Sequence, residues 1–330
     1  MSAINAAELL DSLTEQRRDR PGVSMTTLNL IAFIDDGASL LRLLDRLRTF
    51  SQKHPCRAIV LDGSRSEERC VNATCTEDGD TVFTQSEEIV LGVASMEAKE
   101  LHSIVHDLLV PDVDCALFWA GRELRDPRFD ALASLGATIV VDSSRAADTT
   151  EALHGIAQLS GSTGRYLRDL SYLRLLPWQD MIAQFFDDAE LARELPAIAR
   201  VEIACGSEPE AYYFSGWLAS RLEWKPCGRG ELCNAAGEKI TVGIEKRGNP
   251  RRVQSVVLRS ARCVFAAELD PQAADLVCLT VTGTPSRDRR CATLHDIDSV
   301  SLVEQAVLIP SNDPVFAEAL SMARAILDTM

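Results

Sequence analysis

The stretch Met25-Thr-Thr-Leu-Asn-Leu-Ile-Ala-Phe-Ile34-Asp35-Asp36-Gly37 decides the fold. Its extended run stops at two aspartates and a glycine. Leu40, Leu43, Leu44 and Leu47 then recur at helical spacing, with Leu41 and Phe50 widening the stripe. The next apolar run, Ala58 to Leu61, is short enough for a buried strand. Strand, helix and strand in that order predict a right-handed crossover between parallel neighbours.

Outward from this unit the pattern continues. A helix is expected from about Ile4 to Gln16, before Pro21-Gly22, with Leu9, Leu10 and Leu13 on one face. Between Arg69 and Ala94 two extended segments flank Glu77-Asp78-Gly79-Asp80, whose Asp-Gly pair signals a hairpin insertion. A helical stretch near Ala98 to Leu109, a strand Cys115 to Trp119, a helix near Pro127 to Leu135 and a strand Ala137 to Val141 follow. Asp148 with Glu151 three residues later fits a capped helix start. Residues 1–165 therefore read as an N-terminal α/β domain, with a mainly parallel sheet, flanking helices and a hairpin insertion. Ser160-Gly-Ser-Thr-Gly164 reads as the linker.

Residues 166–330 read as a C-terminal α+β domain. A helical region from Tyr166 to Glu194, restarted at Pro177, precedes the strand Arg200 to Cys205. Ser207 and Glu210 form a capping box for a helix to about Leu222. Four or five short extended runs between Lys239 and Leu294 suggest an antiparallel meander. Two closing helices are expected, near Val300 to Leu308 and after Ser311, where Pro314 suits an early helical position.

Composition narrows the function. With 34 basic against 49 acidic side chains the net charge is −15, so neither nucleic acid nor an anionic membrane is an expected partner. The excess is uneven, 16 basic against 26 acidic in residues 1–165 and 18 against 23 thereafter. No apolar run approaches the roughly 20 residues of a membrane span, and the first residues lack a basic segment ahead of an apolar one. The expected compartment is the cytoplasm, and the ten cysteines, with no Cys-x-x-Cys, are expected as reduced thiols.

No phosphate-binding P-loop, Gly-x-Ser-x-Gly elbow, His-Glu-x-x-His or Gly-x-Gly-x-x-Gly fingerprint occurs. His102 and His106 share helical spacing but have no third ligand at a diagnostic distance. No catalytic residue, cofactor or metal is therefore assigned. Redox candidates are Cys70 with Cys75, and Cys227 with Cys233 around Gly228-Arg229-Gly230, where Arg229 favours a thiolate. A basic segment from Lys239 to Arg262 has a tip, Lys246-Arg247-Gly248-Asn249-Pro250-Arg251-Arg252, that reads as a hairpin turn. Arg247, Arg251 and Arg252 are candidate contacts for an acidic partner. Trp119, Arg174, Pro177 and Trp178 join them, because Trp and Arg dominate binding hot spots. The other readings open at this point are a sugar-phosphate-binding protein or enzyme, using the basic segment or the Gly206-Ser207 helix start, and a thiol-based redox sensor.

Several segments, in order, resemble the glucose-6-phosphate dehydrogenase assembly protein (OpcA) family. They are His54-Pro-Cys-Arg-Ala-Ile59, Leu108-Leu-Val-Pro-Asp112 leading into Phe118-Trp-Ala-Gly121, and Ile139-Val-Val-Asp-Ser-Ser-Arg145. The most recognisable is Asp169-Leu-Ser-Tyr-Leu-Arg-Leu-Leu-Pro-Trp178, followed by Gly216-Trp-Leu-Ala-Ser-Arg-Leu222. Tyr172, Leu176 and Gln179 depart from the family pattern, and the likeness loosens after about residue 225. The resemblance implies a non-catalytic protein that binds glucose-6-phosphate dehydrogenase, promotes its assembly and acts as its allosteric effector in the oxidative pentose phosphate pathway. For members under thiol control it also implies redox regulation, with thioredoxin as a further partner.

Overall fold

The computed structural model describes residues 5–18, 26–66, 69–78, 82–160, 165–247, 253–283, 289–294, 298–308 and 312–329. None of the described helices is long and apolar enough to cross a membrane. The chain divides into two compact units. One comprises Met1–Ala147, Ser162–Arg168 and Ser299–Ser311; the other comprises Asp148–Gly161, Asp169–Asp298 and Asn312–Met330. Where the sequence places one boundary at 165/166, the chain changes unit more than once.

In chain order the elements are α1 (Ala6–Arg18), β1 (Leu28–Ile34), α2 (Gly37–Lys53), β2 (Cys56–Asp62), β3 (Arg69–Asp78), β4 (Val82–Gly92), α3 (Ala98–Leu108), β5 (Cys115–Ala120), α4 (Pro127–Ala133), β6 (Thr138–Val141), α5 (Thr149–Ser160) and β7 (Tyr166–Asp169). The first sheet runs β3-β4-β2-β1-β5-β6-β7. The pairs β4-β2, β2-β1, β1-β5 and β5-β6 are parallel, and β3 turns back antiparallel on β4 as the inserted hairpin. The turn residues 79–81 lie outside the described residues, as do Pro21-Gly22 and residues 161–164 of the expected linker.

The central strands are buried along almost their whole length, as parallel strands covered on both faces must be. Leu40, Leu43, Leu47 and Phe50 bury one face of α2. Contrary to the sequence reading, Leu41 does not widen that face; it is 76% exposed, because the 3-4-3 spacing of the other four already fills it. Residues 166–169, expected in a helix, form the strand β7 instead, with the Tyr166 amide donating to Ala137 O at 2.8 Å. Four residues at a sheet edge carry too little periodicity to declare a strand.

A buried ion pair fixes the start of β2. Arg57 Nε donates to Glu87 Oε2 at 2.5 Å from the neighbouring strand β4, and Arg57 Nη1 donates to Leu108 O at 2.7 Å. Next to it the Cys56 thiol meets Ser51 Oγ at 3.2 Å, and burial pushes that thiol up to about 11.

The second unit continues with α6 (Leu170–Leu173), α7 (Leu176–Ala183), α8 (Ala189–Ala192), β8 (Ile198–Cys205), α9 (Glu208–Arg221), β9 (Lys225–Gly228), β10 (Glu231–Cys233), β11 (Lys239–Lys246), β12 (Val253–Ser260), β13 (Val264–Asp270), β14 (Ala273–Thr282) and β15 (Arg289–Thr293). Helix α10 (Ser299–Leu308) returns to the first unit, where it contacts α2 and β6 and its Glu304 meets His54 Nε2 at 2.9 Å. Helix α11 (Pro314–Leu327) belongs to the second unit, with Asp313 accepting from the Val315 and Phe316 amides and Pro314 in its first turn.

The second sheet runs β15-β14-β13-β12-β8-β11-β10-β9. Strands β12 to β15 form the expected antiparallel meander. Strands β11 and β12 do not form a hairpin, contrary to the sequence reading. Strand β8 lies between them, parallel to β11 and antiparallel to β12, so the basic segment is a connection across β8. The Asp148 cap is present, accepting from the Glu151 amide at 2.8 Å. The Ser207 capping box is not: Ser207 makes no side-chain cap bond, and Glu210 is turned to Arg174 at 3.3 Å. Helices α9 and α11 approach so closely at Gly216 that a Cβ there would fall 2.2 Å from Ala319 O.

Arg57→Met leaves Glu87 buried opposite an apolar side chain and is expected to cost about 3–5 kcal/mol, read as a lower urea midpoint. Arg57→Met with Glu87→Leu is expected to recover most of that loss; a single variant as stable as the parent would remove the ion pair from this role.

Candidate functional site

In open α/β sheets ligands bind beyond the carboxyl ends of the strands, where the order reverses. Here that place lies between β1 and β5, and the residues ending those strands are charged. Asp35, directly after β1, accepts the Arg122 amide at 2.8 Å beyond β5. Its other oxygen faces Arg145 Nη2 at 3.4 Å, from the turn after β6, and Arg145 Nε donates to Ala120 O at 2.6 Å. One carboxylate and one guanidinium thus tie three strand ends across the reversal point.

Asp36 caps α2. Its carboxylate accepts from the Ala38 amide at 3.1 Å and from Ser39 Oγ at 2.8 Å. The Ser39 hydroxyl, then the Ala38 amide, hold this carboxyl below its ordinary value, with Arg145 and Arg122 adding to the effect. Behind it Ser64 closes on the same turn: a Cβ on Gly37 would fall 2.8 Å from Ser64 Oγ. Ser64 donates both its amide and its hydroxyl to Asp62 Oδ1, at 2.8 and 2.6 Å, and Asp62 is fully buried at the end of β2. Alongside, Phe33 stacks on Trp119 at 4.0 Å, Phe129 meets Trp119 edge-on at 5.2 Å, and Arg128 lies over Phe33 at 5.1 Å.

This chemistry does not fit the pyrophosphate of a dinucleotide. That group needs a glycine-rich turn and open amides at a helix start. Here the first turn of α2 is capped by its own carboxylate, and a second carboxylate stands one residue before it. The acid at the end of the second strand, which in dinucleotide folds binds a ribose hydroxyl, is buried and engaged by Ser64.

The expected partner contacts fall elsewhere. Trp119 is 1% and Trp178 2% exposed, so both rings fill cores instead of presenting contact area, a correction to their reading as candidate partner contacts. Arg174 is mostly buried in its pair with Glu210. Pro177 sits in the first turn of α7. The segment around them builds the second unit: Asp169 accepts from the Ser171 amide and from Tyr213 Oη, both at 2.9 Å, and Tyr172, Tyr213 and Phe316 form one aromatic cluster. Burial first, then the Asp169 charge, pushes the Tyr213 phenol well above its ordinary value. Arg247 is exposed and bound to Glu245 at 2.6 Å, whereas Arg251 and Arg252 lie outside the described residues. Glu208 and Glu210 in the first turn of α9 give the Gly206-Ser207 helix start the wrong charge for phosphate.

The cysteines depart from the expectation of thiols throughout. Cys227 and Cys233 form a disulfide with Cα atoms 5.8 Å apart, and Cys278 is joined to Cys291. The second pair was missed because it depends on the β14-β15 register, which sets these residues directly opposite each other. Cys70 is an exposed free thiol; Cys75 is on the same strand, and its side chain lies outside the described residues. No cluster of metal-ligating side chains exists among the described residues.

A family model described as the glucose-6-phosphate dehydrogenase subunit N-terminal domain matches residues 48–158, and one described as that subunit's C-terminal domain matches residues 165–320. The chain is 28% identical over 187 residues to the putative OxPP cycle protein OpcA of Synechocystis sp., covering 54% of this chain and 39% of that one. It is 27% identical over 251 residues to the protein of the same name from Synechococcus elongatus, covering 73% and 55%. It thus spans about half or less of the length of these curated relatives. Among solved structures it is similar to the 3-ketoreductase KijD10 of Actinomadura kijaniata in complex with NADP and TDP-benzene, with TM-score 0.56, 10% identity and coverage of 92% and 97%. It is also similar to the transcriptional regulator Gal80p of Kluyveromyces lactis, with TM-score 0.51, 10% identity and coverage of 92% and 89%. At that identity the likeness is one of fold alone, and the fold is carried by a reductase and by a regulator alike.

Asp36→Ala is expected to lower stability by about 1 kcal/mol through loss of the cap. Because the folded carboxyl titrates below its unfolded value, the difference from the parent is full above about pH 4 and fades as pH falls through the depressed folded value. Thermal unfolding of both proteins between pH 3 and 7 checks this; a difference that grows on acidification contradicts it.

Proposed function

Since the chain belongs to the OpcA family of glucose-6-phosphate dehydrogenase subunits, we propose that it is a non-catalytic assembly factor and allosteric effector of that dehydrogenase, working in the oxidative pentose phosphate pathway. The observation that carries the non-catalytic part is the reversal point of the first sheet, where Asp35 and Asp36 take the place of a phosphate-binding turn. A fold that elsewhere carries reductase chemistry is used here for its surface. The working compartment on this reading is the cytoplasm, and the effect is a shift in the partner's equilibrium. An effector moves that equilibrium only by its differential affinity for the active and inactive forms, so a tenfold shift needs about 1.4 kcal/mol of preference.

A second reading, thiol control with thioredoxin as reductant, is favoured by the Cys227–Cys233 disulfide, whose Cys227 is exposed on a short hairpin. The Gly230 amide in that turn donates to Thr329 O at 2.8 Å, so opening the bridge loosens a contact of the carboxyl-terminal segment.

Mixing the purified chain with its cognate dehydrogenase is expected to raise the dehydrogenase oligomer mass in light scattering and to lower its apparent KM for substrate. No complex and no kinetic change would refute the proposal. Repeating the assay after reduction tests the second reading: the effect changes in the parent and not in Cys227→Ser, whereas equal responses remove the bridge from control.

A further inference from the structure

The second sheet has two unlike faces. One carries Val201, Ile203, Val256, Leu258 and Phe265, all buried, with Phe265 against Phe185 and Phe186. The opposite face is built from the alternate positions, and the register aligns them in rows. Gly243, Glu202, Val257, Ala266 and Thr280 form the middle row across five strands. Apart from Glu202 these are small or β-branched; Gly243 is exposed and the other four are partly exposed. Such a flat face, with Arg200, Arg259, Glu245 and Glu268 exposed around a partly exposed middle row, is an unusual surface to leave to water.

Its charges are arranged by row. One end holds Arg200 and Arg259, which sit side by side and both grip Glu202, at 2.7 and 2.8 Å, leaving that end one positive charge. The other end holds Glu245, neutralised by Arg247 at 2.6 Å, and Glu268, which is exposed and has no ion pair among the described residues. We infer that this face is the docking surface for a second copy of the chain, related by a two-fold axis lying in the interface and running across the strands. That axis lays the positive end of each copy over the negative end of the other. Glu268 then meets the Val264 position and, one strand away, Arg259, and the contact is made twice. An axis along the strands would lay like ends together.

Six strands at about 4.8 Å and three same-face positions at about 6.8 Å give a face of about 24 by 20 Å, or about 480 Å². That is below the ~800 Å² per partner of a standard interface and in the range of a weak, concentration-dependent one. The inference concerns the chain alone and does not depend on the proposed function.

Sedimentation velocity of the full chain at rising concentration is expected to show a monomer–dimer equilibrium. Arg259→Glu and Glu268→Arg, both at exposed positions, should each weaken it at least about tenfold, while the double variant Arg259→Glu/Glu268→Arg should return it to within about threefold of the parent. Circular dichroism establishes that each variant is folded, and Ala266→Arg supplies an independent steric block of the same face. A monomer at every concentration, a dimer indifferent to all these changes, or single losses that the double variant does not restore would overturn the inference. A monomeric parent whose Arg259→Glu variant loses the dehydrogenase would assign the face to that partner, and would overturn it equally.

Discussion

The carboxylate of Asp35 accepts the Arg122 amide and faces the Arg145 guanidinium, while Asp36 closes the first turn of α2. These contacts sit where the strand order reverses, the one place in such a sheet where a ligand would ordinarily enter. Two carboxylates held there by neighbouring arginines and amides make the site self-sufficient. Both charges are negative and repel an incoming phosphate, and removing either would expose helix or strand ends that the protein now satisfies itself. The proposed function rests on this point, because a fold whose usual cofactor position is filled by its own side chains is left with its surface.

The segments that resemble the family signature turn out to be structural. Asp169 receives Tyr213 and the start of α6, Arg174 is held by Glu210, and Gly216 lets α9 and α11 approach backbone to backbone. Likewise, in the His54-Pro-Cys-Arg57 segment each polar group is engaged internally, His54 by Glu304 and Arg57 by Glu87. A motif of this kind specifies how each unit is built. On the proposed function a partner would meet whatever those cores support, and exposed residues such as Arg247 and Glu268 are better placed for that than the buried tryptophans.

The β1-α2-β2 unit was legible because a buried parallel strand and an amphipathic helix each leave a period in the sequence. The hairpin and the carboxyl-terminal meander were legible for the same reason. What was lost depended on partners far along the chain. Asp35 read only as the end of a strand, since Arg145 stands 110 residues away and the sheet order brings them together. Cys278 and Cys291 needed a register, β7 was too short for a pattern, and β8 slid between β11 and β12 where a basic turn suggested a hairpin. Trp119 and Trp178 were misplaced because composition does not say which face a large ring occupies.

The central claim, that the chain fills its own ligand position and leaves no place for a dinucleotide, is tested most directly by titrating the purified full chain with NADPH and following nicotinamide fluorescence and heat. The account predicts no saturable binding up to about 1 mM. Saturable binding with a dissociation constant in the micromolar range would contradict it.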